Sequence, residues 1–274
     1  MAPRHERSPA RAFHAGPVNR LSVVMPVFDE EATIAEAIDN VLAAPLPKGV
    51  KLELIIVESN STDDTRKLVE KYERVPSVQL VLQDKARGKG NAVREGFRHV
   101  TGDIVLIQDG DMEYRVEDYP KLLEPIIAGE VDFVLGSRHT RDGAMRHFAD
   151  AKHVSAVMNA AHWLFATLFN LFYGTRLRDP FTMYKVFRAE CIEGMPFVAD
   201  RFDFDFELAA KLVRRGYRPR EIPVNYFSRG YESGKKVRFF RDPLTWVAAL
   251  VRFRVARVPR RINAPVVLGD RGAA

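Results

Sequence analysis

Residues 104–113 read IVLIQDGDME. Ile104–Gln108 is a short apolar run that stops at two carboxylates separated by one glycine. Bounded in this way, it reads as a buried strand. The same pattern recurs on either side. Leu21–Val27 (LSVVMPV), Leu52–Val57 (LELIIV) and Val78–Leu82 precede it as strands, and Val131–Leu135 follows as a fifth. Between them lie helical stretches. Glu31–Ala43 carries apolar residues at Ile34, Ile38, Val41 and Leu42; Asp63–Tyr72 follows Ser61 or Thr62 as its cap; Asn91–His99 and Glu117–Ala128 complete the set. Strands alternating with helices predict an α/β fold with a doubly wound, mostly parallel sheet covered on both faces. Such sheets bind ligands at the carboxyl ends of their strands.

The residues just past each strand are therefore the candidates. They are Phe28-Asp29-Glu30-Glu31, Glu58-Ser59-Asn60-Ser61, Asp84 to Gly90, Asp109 to Glu113, and Gly136-Ser137-Arg138. Carboxylates mixed with Lys and Arg on one sheet edge suit a metal-plus-phosphate site. Alternating residues of an extended segment point the same way, so Asp109, Asp111 and Glu113 are expected to converge, with Gly110 allowing close backbone approach. Hard oxygen ligands of this kind suit Mg²⁺ or Mn²⁺. The alternative is a turn with Asp as a helix cap. In Gly88-Lys89-Gly90 a strand meets a helix N-terminus, where Lys85, Arg87 and Lys89 add positive charge and an anion is favoured. The alternative there is an ordinary turn. Neither a Walker loop nor a dinucleotide fingerprint is present, since Val93 stands where the third glycine would fall.

Composition sets wider bounds. The chain of 274 residues is 46% hydrophobic and 28% charged, enough for one large α/β domain or two small ones. Cys191 is the only cysteine, which excludes an internal disulfide and a cysteine metal cluster and fits a reducing compartment. Residues 1–19 are polar, basic and Pro/Ala-rich, and read as a disordered tail rather than a secretory signal. The net charge of +6 is concentrated between Lys235 and Arg261, where Asp242 is the only acid. That patch implies a phosphate, a phospholipid surface or a nucleic acid as partner, unless it is a solvated tail.

Taken together, MPVFDEE (25–31), VESNSTDDT (57–65), GKGNAVREGF (88–97), QDGDMEY (108–114) and GSR (136–138) resemble the family 2 glycosyltransferases. The nearest branch is that of dolichol-phosphate mannose synthases and polyprenyl-phosphate hexosyltransferases. DPFTMYKVFR (179–188), RFDFDFELAAKLVRRGY (201–217), EIPVNYFSRGYESGKK (221–236) and FFRDPLTW (239–246) extend the likeness over roughly residues 20–255. The resemblance implies a GT-A fold with C-terminal amphipathic helices. The expected layout is a catalytic domain over 20–235, a basic amphipathic segment over 236–262 and a flexible tail over 263–274. It implies that Pro26, Phe28 and Glu30 contact the nucleotide with Glu58 nearby. It places metal and diphosphate at Asp109, Asp111 and Glu113. It implies phosphate contacts from Arg138, Arg229 and Lys235, and an acidic residue near the acceptor at Asp179. Phe28-Asp29 and Glu58-Ser59 depart from the family's usual Tyr-Asn and Asp-Asp, at the positions that would read the base.

Val154–Tyr173 lacks any Asp, Glu, Lys or Arg, so by length it is a membrane-span candidate. A stripe of Ser155, Asn159, His162, Ala166 and Asn170 opposes Val157, Met158, Leu164, Phe165, Leu168, Leu171 and Phe172, which reads instead as an amphipathic helix. A span would also put Asp109 and Asp179 on opposite sides of the bilayer. A helix on the membrane, or one buried in a core or homo-oligomer interface, remains. Trp246–Arg261 mixes Trp246, Leu250, Val251 and Phe253 with five arginines and is a second membrane contact. His139, His147, His153 and His162 are irregularly spaced and read as non-ligands. Arg138–Lys152 is an acceptor loop or a plain surface loop, and Asp203 or Glu207 is a reserve acid. Tyr217–Tyr226 reads as a late strand.

The expected reaction is inverting transfer of a hexose from a GDP- or UDP-sugar to a polyprenyl phosphate, at the cytoplasmic face of a membrane. The alternative is a hydroxyl acceptor in polysaccharide or glycolipid synthesis, which needs Asp179 as base. A sugar-nucleotide sensor would show a degraded acidic motif, and no nucleic-acid-binding fold is recognised. No nucleic acid partner is expected.

Overall fold

The computed structural model describes residues 18–139, 152–228 and 242–259. In chain order the strands are β1 (Arg20–Val27), β2 (Lys51–Glu58), β3 (Val78–Leu82), β4 (Ile104–Ile107), β5 (Phe133–Ser137), β6 (Lys185–Arg188) and β7 (Arg220–Pro223). The helices are α1 (Ile34–Leu42), α2 (Thr65–Glu70), α3 (Lys89–Phe97), α4 (Tyr119–Ile127), α5 (Lys152–Tyr173), α6 (Phe204–Arg214) and α7 (Asp242–Val255). All seven strands form one sheet in the order β3-β2-β1-β4-β6-β5-β7. β1 pairs in parallel with β2 and β4, β2 with β3, and β5 with β7. The central strands are apolar along their length because helices cover both faces.

β6 was not foreseen as a strand. It is antiparallel to both β4 and β5, and so lies between them. Its sequence, KVFR, is charged at both ends, yet all four residues are buried. Tertiary partners make that tolerable. Lys185 Nζ donates to the Thr182 carbonyl and, at 3.0 Å, to Asp205 Oδ1; Arg188 Nη2 donates to the Ile126 carbonyl at 2.9 Å.

The α2 cap also differs from expectation. Asp64 takes the N-cap position, while the neighbouring Asp63 Oδ1 accepts the Thr65 amide at 3.0 Å. Ser61 and Thr62 are spent on the loop after β1: Asp29 N donates to Ser61 Oγ, and Thr62 N donates to Asp29 Oδ1. Stitching two strand ends together wins over local capping.

Helix α5 turns its small and polar stripe inward. Ser155, His162 and Ala166 are buried beside Phe165, Phe169 and Tyr173, whereas Val157, Trp163, Leu164, Leu171 and Phe172 are exposed. Two residues expected on the apolar face, Phe165 and Leu168, pack into the core. Asn170 is used locally, donating to the Leu177 carbonyl and accepting from Leu177 N, both at 2.8 Å. Helix α7 packs on α5 and α6 through Ala249, Leu250 and Phe253. Tyr173 donates to the Leu250 carbonyl at 2.7 Å, and Arg254 to that of Phe172 at 2.9 Å. Val251 and Val255 of α7 point outward with Arg252 and Arg254. Among the described residues no helix is long and apolar enough to cross a membrane.

Candidate active site

The site forms where β1, β2 and β4 end. Three non-glycine residues there have positive φ: Asp29 (49°), Asn60 (58°) and Met112 (61°). Each follows one of those strands, and strain of this kind is held only where surrounding bonds over-determine it. Asp29 Oδ1 accepts Thr62 N at 2.7 Å, Glu30 N donates to Thr65 Oγ1 at 2.9 Å, and Asp64 N donates to Glu31 Oε2 at 3.0 Å. Pro26, Phe28 and Glu30 form a half-buried rim beside these loops. Glu58 is set back. It is fully buried, accepts Ser61 N at 2.6 Å and pairs with Arg66 Nε at 2.5 Å.

Asp109, Asp111 and Glu113 do not converge on one point. Among the described residues no group of three or more His, Cys, Asp and Glu side chains is placed to share an ion. Asp109 pairs with Lys89 Nζ at 2.6 Å, Asp111 Oδ1 accepts Glu113 N at 3.1 Å, and Glu113 Oε2 accepts the Tyr226 hydroxyl at 2.7 Å. The loop is a turn rather than an extended strand, as φ of Met112 shows, so alternate residues diverge. Asp109 and Asp111 remain neighbours. Burial pushes the Asp109 carboxyl up to about 6; Lys89 opposes this and Asp111 adds to it. Two hard carboxylates with excess negative charge fit Mg²⁺ or Mn²⁺, which need only one or two protein carboxylates when a phosphate supplies further oxygens. Gly110 is buried and its carbonyl accepts Thr33 Oγ1 at 2.8 Å, tying the loop to α1.

The Gly88–Gly90 loop has a different use from the one expected. The first turn of α3 is covered by the chain itself, with Asn91 N donating to the Asp200 carbonyl at 3.1 Å. A Cβ on Gly88, whose φ is +104°, would stand 2.4 Å from that carbonyl oxygen. One on Gly90 would stand 2.6 Å from both the Ala199 oxygen and Phe204 Cβ. The glycines therefore admit the 199–201 backbone. Only the Lys89 side chain reaches the carboxylates, and the nearby Asp205 charge acts on both Lys89 and Asp109.

Arg138 and Asp179 lie on the far side of β4. Asp179 is fully buried and takes three hydrogen bonds from Arg138: from N at 2.9 Å, Nε at 2.8 Å and Nη2 at 2.7 Å. Burial raises its pKa, but the Arg138 charge and hydrogen bonds outweigh that and hold it well below the usual carboxylate range. Arg138 also lies over the Tyr226 ring, 5.6 Å from its centroid. Arg229, Lys235 and His147 lie outside the described residues, as do 140–151 of the expected acceptor loop.

Sequence reasoning missed Asp205, Lys185, Glu221 and Tyr226. Glu221 fixes Asp179 by accepting its amide at 2.7 Å. The alternation FDFDFE was visible, but Asp205 rather than Asp203 or Glu207 faces the site. Glu207 is buried against Lys211 at 2.5 Å and accepts the amides of Val198 and Ala199. Asp203 accepts Arg201 N at 3.2 Å.

Comparison with known proteins identifies the family and the fold. The model of "Glycosyl transferase family 2" matches residues 22–193. Glycosyltransferase AglJ of Haloferax volcanii is 29% identical over 80% of this chain and 67% of its own. The undecaprenyl-phosphate 4-deoxy-4-formamido-L-arabinose transferase of Shewanella sediminis is 25% identical over 81% of this chain and 63% of its own. This chain thus spans about two thirds of the length of those relatives. Among solved structures, glucosyl-3-phosphoglycerate synthase from Mycobacterium tuberculosis bound to UDP superposes with a TM-score of 0.64 at 23% identity, over 88% of this chain and 81% of that one. The same enzyme with Mn²⁺, UDP and product gives 0.60 at 23% identity, over the same shares. The architecture is the GT-A fold.

Proposed function

This chain belongs to glycosyl transferase family 2, and on that premise we propose that it moves a hexose from a nucleoside-diphosphate sugar to a polyprenyl phosphate, with inversion, while resting on the cytoplasmic face of a membrane. The observation that carries the acceptor is the Arg138–Asp179 pair. A hydroxyl acceptor must lose a proton in the transition state, which needs a base of suitable pKa within reach. Asp179 accepts three hydrogen bonds from Arg138 and is held far below that range. A phosphate is already an anion at neutral pH and needs no such base. Arg138, positioned by Asp179, offers it a cation. The relative from Shewanella sediminis is named for an undecaprenyl-phosphate acceptor, which supports the same class.

Pro26, Phe28 and Glu30 line the nucleotide, and Glu58 acts behind them by fixing Arg66. Asp109 and Asp111 hold Mg²⁺ or Mn²⁺, with Glu113 steadying the loop through Tyr226. The bound ion supplies neutralisation of the charge that builds on the departing diphosphate. Lys89 shares that task from the Asp109 side. Arg229 and Lys235 are assigned to phosphate contacts. UDP is the better candidate nucleotide, because the Mycobacterium tuberculosis enzyme of similar fold was solved with UDP. The exposed apolar residues of α5 and α7, bordered by Arg252, Arg254 and Arg257, suit an anionic membrane surface, where apolar burial and basic charge act together.

The test is a transfer screen that crosses UDP- and GDP-hexoses with short polyprenyl phosphates, with Mn²⁺ or Mg²⁺ present and Asp111→Ala as control. Metal-dependent lipid product, lost in the variant, is expected. Donor hydrolysis with no lipid product would move the acceptor to a hydroxyl. Absence of donor binding would overturn the transferase reading itself.

A further inference from the structure

Two imidazoles meet behind the Arg138–Asp179 pair. His139 follows β5 directly, and His162 lies on the inner face of α5; both are buried. Their Nε2 atoms stand 3.1 Å apart. Each also lies 3.0 Å from the backbone carbonyl oxygen of Arg178. Three polar atoms thus form a nearly equilateral triangle.

Protons alone satisfy this triangle only with crowding. A neutral imidazole carries a proton on one nitrogen and a lone pair on the other. If both Nε2 atoms are protonated, the carbonyl oxygen accepts both N–H groups on its two lone pairs, but the two hydrogens are crowded between the rings. If one is protonated, the other ring's lone pair faces the carbonyl lone pair. If neither is, three lone pairs converge. Only the doubly protonated assignment pairs every polar atom, and it brings two like-charged hydrogens together in a buried place. A cation seated just off the plane of the triangle removes the conflict. Donors at about 2.0–2.1 Å around a tetrahedral ion stand roughly 3.3–3.4 Å apart, within a few tenths of an ångström of the separations here. The rings are also held in place. His139 packs on Trp163 with centroids 4.8 Å apart, and His162 meets Phe181 edge-on at 6.1 Å. Asp179 Oδ1 lies 3.8 Å from His162 Nε2.

We propose that His139 Nε2, His162 Nε2 and the Arg178 carbonyl form a site for one borderline transition-metal dication of the Zn²⁺ class. This site is distinct from the hard-cation site at Asp109 and Asp111. Imidazole donors select such ions over Mg²⁺. With three protein donors the site is open to one further ligand. The ion would staple α5 to the end of β5 and to Arg178 in the 174–184 segment, immediately beside Arg138. This does not depend on which sugar or acceptor is used.

The test uses the full chain, stripped with chelator and titrated with Co²⁺ in the presence of excess Mg²⁺. One equivalent of Co²⁺ that Mg²⁺ does not displace, with a visible d–d band typical of nitrogen ligation, is expected. His162→Gln and His139→Gln should each lower its affinity at least tenfold. Zn²⁺ should compete for the same equivalent and raise the melting temperature of the unsubstituted chain, a readout that does not rely on the variants folding. Complete displacement of Co²⁺ by Mg²⁺ would overturn the proposal. So would folded variants that keep the Mg²⁺-resistant equivalent.

Discussion

At Asp179 desolvation and a paired arginine act in opposite directions, and the arginine wins. The pair is buried on both sides, so removing one charge strands the other. Asp179→Asn is expected to cost about 3–5 kcal/mol of stability, read by urea denaturation. A loss below about 1 kcal/mol would mean that Arg138 finds another partner. The pH sign follows from the depressed folded-state pKa. The pair's stabilisation is present above the ordinary carboxylate range near ~3.9 and is lost as pH falls below it. Asp109 behaves the opposite way. Its pKa is raised to about 6, so the contribution it makes to stability is present at low pH and lost as pH rises through that value. A bound cation offsets the loss, since it needs the deprotonated carboxylate. The rise in melting temperature on adding Mn²⁺ should therefore be larger at pH 7.5 than at pH 5.5; an equal rise at both would separate metal binding from Asp109.

Among the elements, α3 and α5 show how a sequence pattern is redirected by packing. The glycines at the start of α3 read as an anion cradle, yet they face the 199–201 backbone at distances no Cβ could share. Gly90→Ala should cost about 1–3 kcal/mol through overpacking, with a lower melting temperature. A Gly90→Ala chain as stable as the original would return the loop to an open role. Helix α5 is amphipathic in the inverted sense. Its polar stripe holds the loop and site residues inside, while Leu164 and Leu171 face out, the latter 75% exposed. Leu164→Glu with Leu171→Glu should leave the melting temperature within about a degree or two, since both side chains are mostly exposed, and should abolish co-sedimentation with anionic vesicles. Retained vesicle binding would remove α5 from the membrane contact.

Across the whole molecule, the sequence by itself determined the α/β alternation, the positions of the first five strands along the chain and the placing of polar residues at their carboxyl ends. These follow from local periodicity and strand-end position, which a linear sequence carries directly. Asp109, Asp111, Arg138 and Asp179 stood out in the sequence as candidates for the same reason, through motifs of fixed spacing. Tertiary structure alone decided the rest. Strand β6 is too short and too charged to announce itself, and exists because β4 and β5 flank it and Asp205 meets Lys185. The pairing of Asp179 with Arg138 joins residues far apart in the chain, and no local pattern announces it. The meeting of His139 with His162 is equally invisible in their irregular spacing, because it is made by packing α5 against the end of β5. Pair interactions of buried charges depend on distance and desolvation, and both are set only when remote segments close on one another.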